Sequence, residues 1–190
     1  MAILKYPQSY YDAGLDPDVT FIDPTNAYSD DGSDSVAETT KKNSSDYIEY
    51  YNFDMQIPTE AAISSVTLEV EWKCSTAASI LDMACQLYRN GTAMGTAITC
   101  SSEPTSNTAQ STTDTGTWSA SQLNGNTQND LAARITVNRG DINTDGNVLW
   151  DYVKITVDYT SSSVTYKTVT TTFGILGKRN VVVKKHTDPF

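Results

Sequence analysis

This sequence predicts an all-β chain: an antiparallel β-sandwich, jelly-roll-like, with extended N- and C-terminal arms. Three observations predict it. Apolar and polar residues alternate with period two in one run after another, and Asp-Gly or Asn-Gly dipeptides separate those runs. No stretch carries a helical periodicity long enough to bridge parallel strands, so the strands pair as hairpins and two sheets pack face to face. The 190 residues suffice for one continuous core. The expected organisation is therefore an N-terminal arm at residues 1–18, a sandwich at 19–159 and a C-terminal basic hairpin or arm at 160–190.

Taken in chain order, the opening MAILKYPQSYY has neither an apolar run of signal-peptide length nor a small-residue cleavage pattern, and nothing later approaches a membrane span. Synthesis in the cytosol is expected, with no membrane partner. YIEYYNFDMQIP then puts Tyr51, Phe53, Met55 and Ile57 on one side and stops at Pro58, which has no N–H for a ladder. In VTLEVEWKC the core positions are Val66, Leu68, Val70 and Trp72; in ILDMACQLY they are Leu81, Met83, Cys85 and Leu87. LAARITVN repeats the pattern with Leu131, Ala133, Ile135 and Val137, as does DYVKITVDY with Val153, Ile155, Val157 and Tyr159. Turn signals at Asp31-Gly32, Asn90-Gly91, Asn124-Gly125 and Asp145-Gly146 connect these strands. Residues 101–116 read as a polar loop, after which TWSASQLN can form one helical turn capped by Thr117 or Ser119, with Trp118 closing an end of the core. Cys74 and Cys85 continue apolar strand faces, and with Cys100 they make an odd number without a C-x-x-C pair, so buried thiols are expected, not zinc or a disulfide framework.

Beyond Tyr159 the texture changes. Val164 to Thr172 and Asn180 to Lys185 are β-prone runs around FGILGK, a second small hairpin that is too short to be stable alone. The net charge is −10, and residues 178–190 hold four cations against Asp188, a balance of +3 that leaves the preceding chain at −13. An acidic body of this size opposes phosphate backbones and anionic lipid, which argues against nucleic acid as a partner. The basic tail suits instead an acidic protein surface with an apolar groove or a strand edge. Its candidate contact residues are Lys178, Arg179, Val181, Val182, Val183, Lys184 and Lys185.

Chemistry is sparsely supplied. His186 is the only histidine and sits in the basic tail, so no catalytic residue is assigned and no enzyme is expected. In NRGDINTDGNVLWDY, Asp141, Asn143 and Asp145 with Gly146 match the front half of a calcium loop, but Tyr152 stands where the closing glutamate belongs and the flanks read as strands. These three remain a weak calcium candidate, with Asp151 as an additional carboxylate, a buried acceptor or the mark of a bulge. Arg139-Gly140-Asp141 spells an adhesion tripeptide, and Asn43-Ser44-Ser45 and Asn90-Gly91-Thr92 are sequons; without a secretory route these reduce to polar turns.

Four blocks, FIDPTNAYSDDGSDSVAET, YIEYYNFDMQIPTEAAISSVTLEVEW, TWSASQLNGNTQNDLAARITV and VLWDYVKITVDY, together resemble the successive blocks of a β-sandwich module widespread in predicted proteins of tailed bacteriophages. The resemblance covers roughly residues 19–159, with Phe21 where that group often has tryptophan. It implies a virion-associated structural module, and fold alone does not fix its function. The leading expectation is a non-enzymatic capsid decoration or cement protein without cofactors. It would be a homo-oligomer on the outer surface of the capsid, its arms bound to the major capsid protein or other virion subunits. The alternative is a receptor- or glycan-binding module of a tail, neck or head fibre, using Tyr10, Tyr11, Tyr28, Tyr47 and Tyr50 as a sugar platform.

Overall fold

The computed structural model describes residues 1–40, 43–75, 81–100, 104–139, 147–161, 165–172 and 178–185, the last two segments as backbone only. The chain divides into two compact units, Met1–Thr160 and Ser161–Phe190. The first is an antiparallel β-sandwich of jelly-roll type.

Its six-stranded sheet runs β3 (Val19–Ile22), β4 (Ser35–Thr39), β11 (Asn147–Thr160), β6 (Ala62–Cys74) and β9 (Thr108–Asp114), with β1 (Ala2–Lys5) also on β11. The five-stranded sheet runs β2 (Ser9–Asp12), β5 (Ser45–Tyr51), β10 (Ala132–Arg139), β7 (Leu81–Arg89) and β8 (Thr92–Cys100). Between the sheets lie the alternating residues that the sequence points to, among them Val66, Leu68, Val70, Trp72, Met83, Cys85, Leu87, Ile135, Val153 and Ile155. Trp72 and Trp150 are directly opposed across β6 and β11. Truncation of either indole to alanine is expected to cost about 3–5 kcal/mol. A polar thread crosses this core: Trp150 Nε1 donates to the Tyr50 hydroxyl (2.9 Å), which donates to the Pro24 carbonyl (3.2 Å). The polar atoms of Trp150 and Tyr50 thus find partners, whereas the buried Trp72 Nε1 has none among the described residues. Cys74 and Cys85 are buried thiols on strands that face each other across the core.

Two local expectations meet the structure. A single helical turn, α1 (Ala120–Leu123), is capped by Ser119 in a capping box with Gln122, and Trp118 beside it is 6% exposed with Nε1 donating to Asp114 Oδ2 at 2.7 Å. Asp151 is both bulge and acceptor. The β6–β11 register slips between Trp150 and Tyr152, and the buried Asp151 carboxylate takes the Gly32 N–H at 3.1 and 3.2 Å.

Within the polar loop expected at 101–116, Thr108–Asp114 instead form β9, paired with β6 from Trp72 to Val66. Two further expectations need correction. Residues 1–18 are not an arm: β1 belongs to one sheet and β2 to the other. The reason is backbone satisfaction. β4 covers only Asn147–Trp150 on its side of β11, so the edge at Ile155–Asp158 is open, and β1 fills it. The second correction is a change of phase. Ile48 and Tyr50 face the core from β5, which places Tyr51 on the outer face, yet Phe53, Met55 and Ile57 are buried. Asn52 at φ +59° turns the chain by one residue, and Asp54 and Gln56 at φ +47° and +53° keep the following odd positions inward without a ladder. Three consecutive even positions in the left-handed region make this a strained segment.

The second unit is a two-stranded hairpin, β12 (Thr165–Thr172) with β13 (Lys178–Lys185). Its register sets Val181, Val182 and Val183 opposite Val169, Thr168 and Lys167.

Candidate functional site on the five-stranded sheet

The outer face of the five-stranded sheet gathers aromatic and hydrogen-bonding side chains from four strands. Because Ile48, Tyr50, Ala133, Ile135, Cys85 and Leu87 point inward, their neighbours Tyr47, Glu49, Tyr51, Ala132, Arg134, Thr136, Gln86 and Tyr88 point outward. The register aligns them in rows. One row reads Tyr11, Glu49, Arg134 and Gln86; the next reads Ser9, Tyr51, Ala132, Tyr88 and Ala93. Tyr47 stands beside Thr136 and Ala84 in a third row.

Arg134 organises this surface. Its guanidinium lies over the Tyr47 ring at 4.0 Å and the Tyr88 ring at 3.8 Å. The guanidinium also donates from Nε (2.9 Å) and Nη2 (2.7 Å) to Glu49 Oε1. Glu49 has a side chain 8% exposed, so its charge requires such a partner, and a planar guanidinium satisfies it while stacking on two rings at once. This pairing uses one carboxylate oxygen and two of the three guanidinium nitrogens. Arg134 Nη1 and Glu49 Oε2 lie outside it. Gln86 donates Nε2 to the Gly95 carbonyl (3.1 Å), leaving its own amide oxygen outside that bond. In the adjacent row Ala132, fully buried at the floor, separates the half-buried rings of Tyr51 and Tyr88 by the width of one strand. A small residue thus lies between two tyrosines in this row.

The tyrosines named from sequence divide three ways. Tyr47 and Tyr11 stand on this face, Tyr11 at its edge and 43% exposed. Tyr10, 39% exposed, pairs with Tyr50 on the same edge strand but with the opposite parity. Tyr50 is fully buried, and Tyr28 packs edge-on against it at 6.4 Å, so neither belongs to a surface platform. Burial pushes the Tyr28 hydroxyl up to about 12, and the Tyr50 hydroxyl higher still, so both are neutral at ordinary pH. Tyr51 and Tyr88 were missed. Tyr88 carried a legible signal, since it alternates with the inward Leu87, whereas Tyr51 was hidden by the phase change at Asn52.

Asp141, Asn143 and Asp145 are outside the described residues. Among the described residues no group of three or more His, Cys, Asp or Glu side chains is placed to hold a metal ion. The arginine of the adhesion tripeptide, Arg139, is 5% exposed and donates Nη1 to the Thr39 carbonyl at 2.7 Å, so it is not displayed. Lys178, Arg179, Val181, Val182, Val183, Lys184 and Lys185 form the second strand of the hairpin, and their side chains lie outside the described residues.

No family model matches this chain, and no curated protein matches its sequence. Among solved structures it is similar to the arabinose-bound MgGH51 α-L-arabinofuranosidase, at 8% identity and a TM-score of 0.47 over 79% of this chain, and it spans only 23% of that chain. It is also similar to the C-terminal CBM6 of LamC, a marine laminarinase from Zobellia galactanivorans (14% identity, TM-score 0.43, 82% of this chain and 99% of that one). A family 35 carbohydrate-binding module from Clostridium thermocellum is a third (12% identity, TM-score 0.41, 82% and 97%). At such identities and scores, any functional argument has to come from the side chains of this chain.

Proposed function

We propose that this chain is a non-catalytic glycan-binding module whose platform is the outer face of the five-stranded sheet. One observation carries the reading: the Tyr47–Arg134–Tyr88 stack, locked to Glu49, beside the Tyr51–Ala132–Tyr88 row. Tyrosine faces suit the C–H-rich face of a pyranose. The outlying Nη1 of Arg134, Oε2 of Glu49 and the amide oxygen of Gln86 supply one donor and two acceptors at the edge, the complement of a vicinal diol. Because Arg134 and Glu49 neutralise each other, the platform carries no net charge and suits a neutral glycan. The face holds one carboxylate among these residues, Glu49, and the arginine ties it down, which suits binding better than acid-base chemistry.

The other expectation, capsid decoration, rests on the C-terminal hairpin and the family resemblance, and no described side chain adds to it. A glycan-binding module on a virion fibre accommodates both the resemblance and the platform.

The test is a screen of the whole chain against neutral and acidic oligosaccharides, followed by titration of any hit against Tyr51→Ala, Tyr88→Ala and Ala132→Leu. Each aromatic deletion is expected to weaken binding about tenfold or more, a loss near 1.4 kcal/mol. Ala132→Leu, at a fully buried position, should displace the two rings and weaken binding, with a stability loss of about 1–3 kcal/mol. Absence of any glycan hit, or undiminished affinity in all three variants, refutes the platform.

A further inference from the structure

Four Asn-Gly or Asp-Gly steps punctuate the chain, and the structure separates the three that are described by how their reactive atoms are held. At such a step the glycine N–H can attack the preceding side-chain carbonyl carbon, because glycine offers no side chain in the way. At Asp31-Gly32 the Gly32 N–H is held by the Asp151 carboxylate, and the Asp31 carboxylate accepts from Ser33 N (2.9 Å) and Ser29 Oγ (2.8 Å). At Asn124-Gly125 the carboxamide is clamped at both ends: Nδ2 donates to the Ile57 carbonyl and Oδ1 accepts from the Ile57 N–H, both at 2.7 Å. The Gly125 N–H donates to the Gln122 carbonyl. Asp130 also packs where a Cβ on Gly125 would lie, at 2.1 Å, so this turn has no room to rearrange.

Asn90-Gly91 is different. The two residues form the exposed tip of the β7–β8 hairpin at φ +50° and +71°, with open space around Gly91. Among the described residues the Asn90 carboxamide and the Gly91 N–H have no hydrogen-bond partner; Asn90 is tied only through its backbone N–H, to the Asn129 carbonyl at 2.6 Å.

We propose that Asn90 is the site of spontaneous covalent modification in the folded protein, by succinimide formation with Gly91. The step balances without a co-reactant other than water. The Gly91 nitrogen forms a bond to Asn90 Cγ, the Cγ–Nδ2 bond breaks, and the Gly91 proton leaves with the amide as ammonia. Water then opens the five-membered imide at either carbonyl, giving aspartate or isoaspartate. Either product adds a negative charge at the tip, and isoaspartate also inserts one extra methylene into a two-residue turn. The turn closes the pairs Arg89 with Thr92 and Tyr88 with Ala93, so the change acts two residues from Tyr88 on the outer face. The inference concerns backbone and amide chemistry and does not depend on the platform's ligand.

The experiment is incubation of the native full-length chain at mildly alkaline pH, with peptide mapping by mass spectrometry and enzymatic isoaspartate methylation at intervals. A parallel sample is unfolded in denaturant. In the unfolded sample the peptides holding Asn90 and Asn124 should convert at comparable rates. In the native sample the Asn90 peptide should convert at least tenfold faster than the Asn124 peptide. The Asn90→Gly variant, which keeps a turn suited to positive φ, should remove the principal acidic species on ion exchange. Equal native rates at the two steps, an intact Asn90 amide when the unfolded control has converted, or an unchanged acidic species in Asn90→Gly each overturn it. Loss of glycan binding without conversion at Asn90 would bear on the platform alone.

Discussion

The two sheets of the sandwich bury similar residues but differ on their outer faces. On the six-stranded sheet the outward side chains of β6, β9 and β11 are short hydroxyls and paired charges. Thr67 bonds Thr113 at 2.9 Å, and Lys73 meets Asp34 at 2.5 Å. Glu69 Oε1 receives both the Tyr152 hydroxyl and Lys154 Nζ at 2.6 Å, and the Lys154 ammonium lies over the Tyr152 ring at 4.9 Å. The aromatic ring there is already covered. On the five-stranded sheet the charged pair is arranged differently, for Arg134 stands between two tyrosines while Tyr51, in the next row, stays half-buried outside that stack. Similar ingredients therefore make a closed surface on one side and a receptive one on the other. What separates them is whether the cation caps a lone ring or props two apart.

Substitutions can break this comparison. The largest effect is expected for Arg134→Ala, which leaves Glu49 buried without its cation and removes two stacking contacts. A loss of about 2 kcal/mol is expected in urea or thermal unfolding, together with loss of glycan binding. Arg134→Lys should recover part of the stability and little of the binding, since an ammonium lacks the planar fork. On the other sheet, Glu69→Gln or Lys154→Met should cost under about 1 kcal/mol, because the Glu69 side chain is 28% exposed against 8% for Glu49, and should leave glycan binding unchanged. If the two faces show equal losses, the contrast drawn from their geometry fails.

Titration sharpens the comparison within the six-stranded sheet. Glu69 is partly desolvated, which alone would raise its pKa, but the Lys154 and Tyr152 contacts prevail and hold it below its ordinary 4.5. Its folded value is depressed, so its contribution is present above pH 4.5 and is lost as pH falls through the folded value. Asp151 behaves in the reverse sense. Desolvation raises it above 3.8, with Asp30 and Asp31 adding to the rise and the backbone N–H groups of Gly32 and Asp31 opposing it. Just above pH 3.8 the native state keeps a proton that the unfolded chain has released, so this contribution declines as pH rises through that window. Melting temperature against pH for Glu69→Gln and Asp151→Asn should therefore deviate from wild type with opposite slopes on the acid limb. The smallest effect is expected for Thr67→Val on the hydroxyl ladder, within about 0.5 kcal/mol and with no effect on binding.

How much of this was legible in the sequence depends on whether the cause was local. Strand faces at Val66–Trp72, Met83–Leu87 and Leu131–Val137 followed from alternation alone, and the inward set implies Arg134 and Tyr88 on the outside. The α1 cap and the bulge at Asp151 were also readable, since one rests on neighbouring residues and the other on a broken parity. Non-local facts were not. That β1 fills an edge of β11 depends on β4 ending early, and no run of four residues announces a vacancy 150 residues away. The stack of Tyr47 and Tyr88 on Arg134 needs β5, β10 and β7 side by side, an order the chain does not spell out. Tyr51 was assigned to the wrong face because three left-handed residues at 52, 54 and 56 can keep an alternating pattern while changing its phase.

The pairing of β1 with β11 also has a mechanical consequence. Met1 and Tyr159 exchange backbone hydrogen bonds at 2.8 and 2.9 Å, so the start of β1 and the final residues of β11 lie side by side. A tension applied between residue 1 and residue 160 would act across that strand pair, not along it. The bonds would then open one after another from the outer end, as in a zipper, and β1 would peel off at low force. A pull directed along β11 would instead load its ladders to β6 and β4 in shear, where many bonds must fail together. The sandwich should therefore be compliant to load at its first strand and stiff along its longest one.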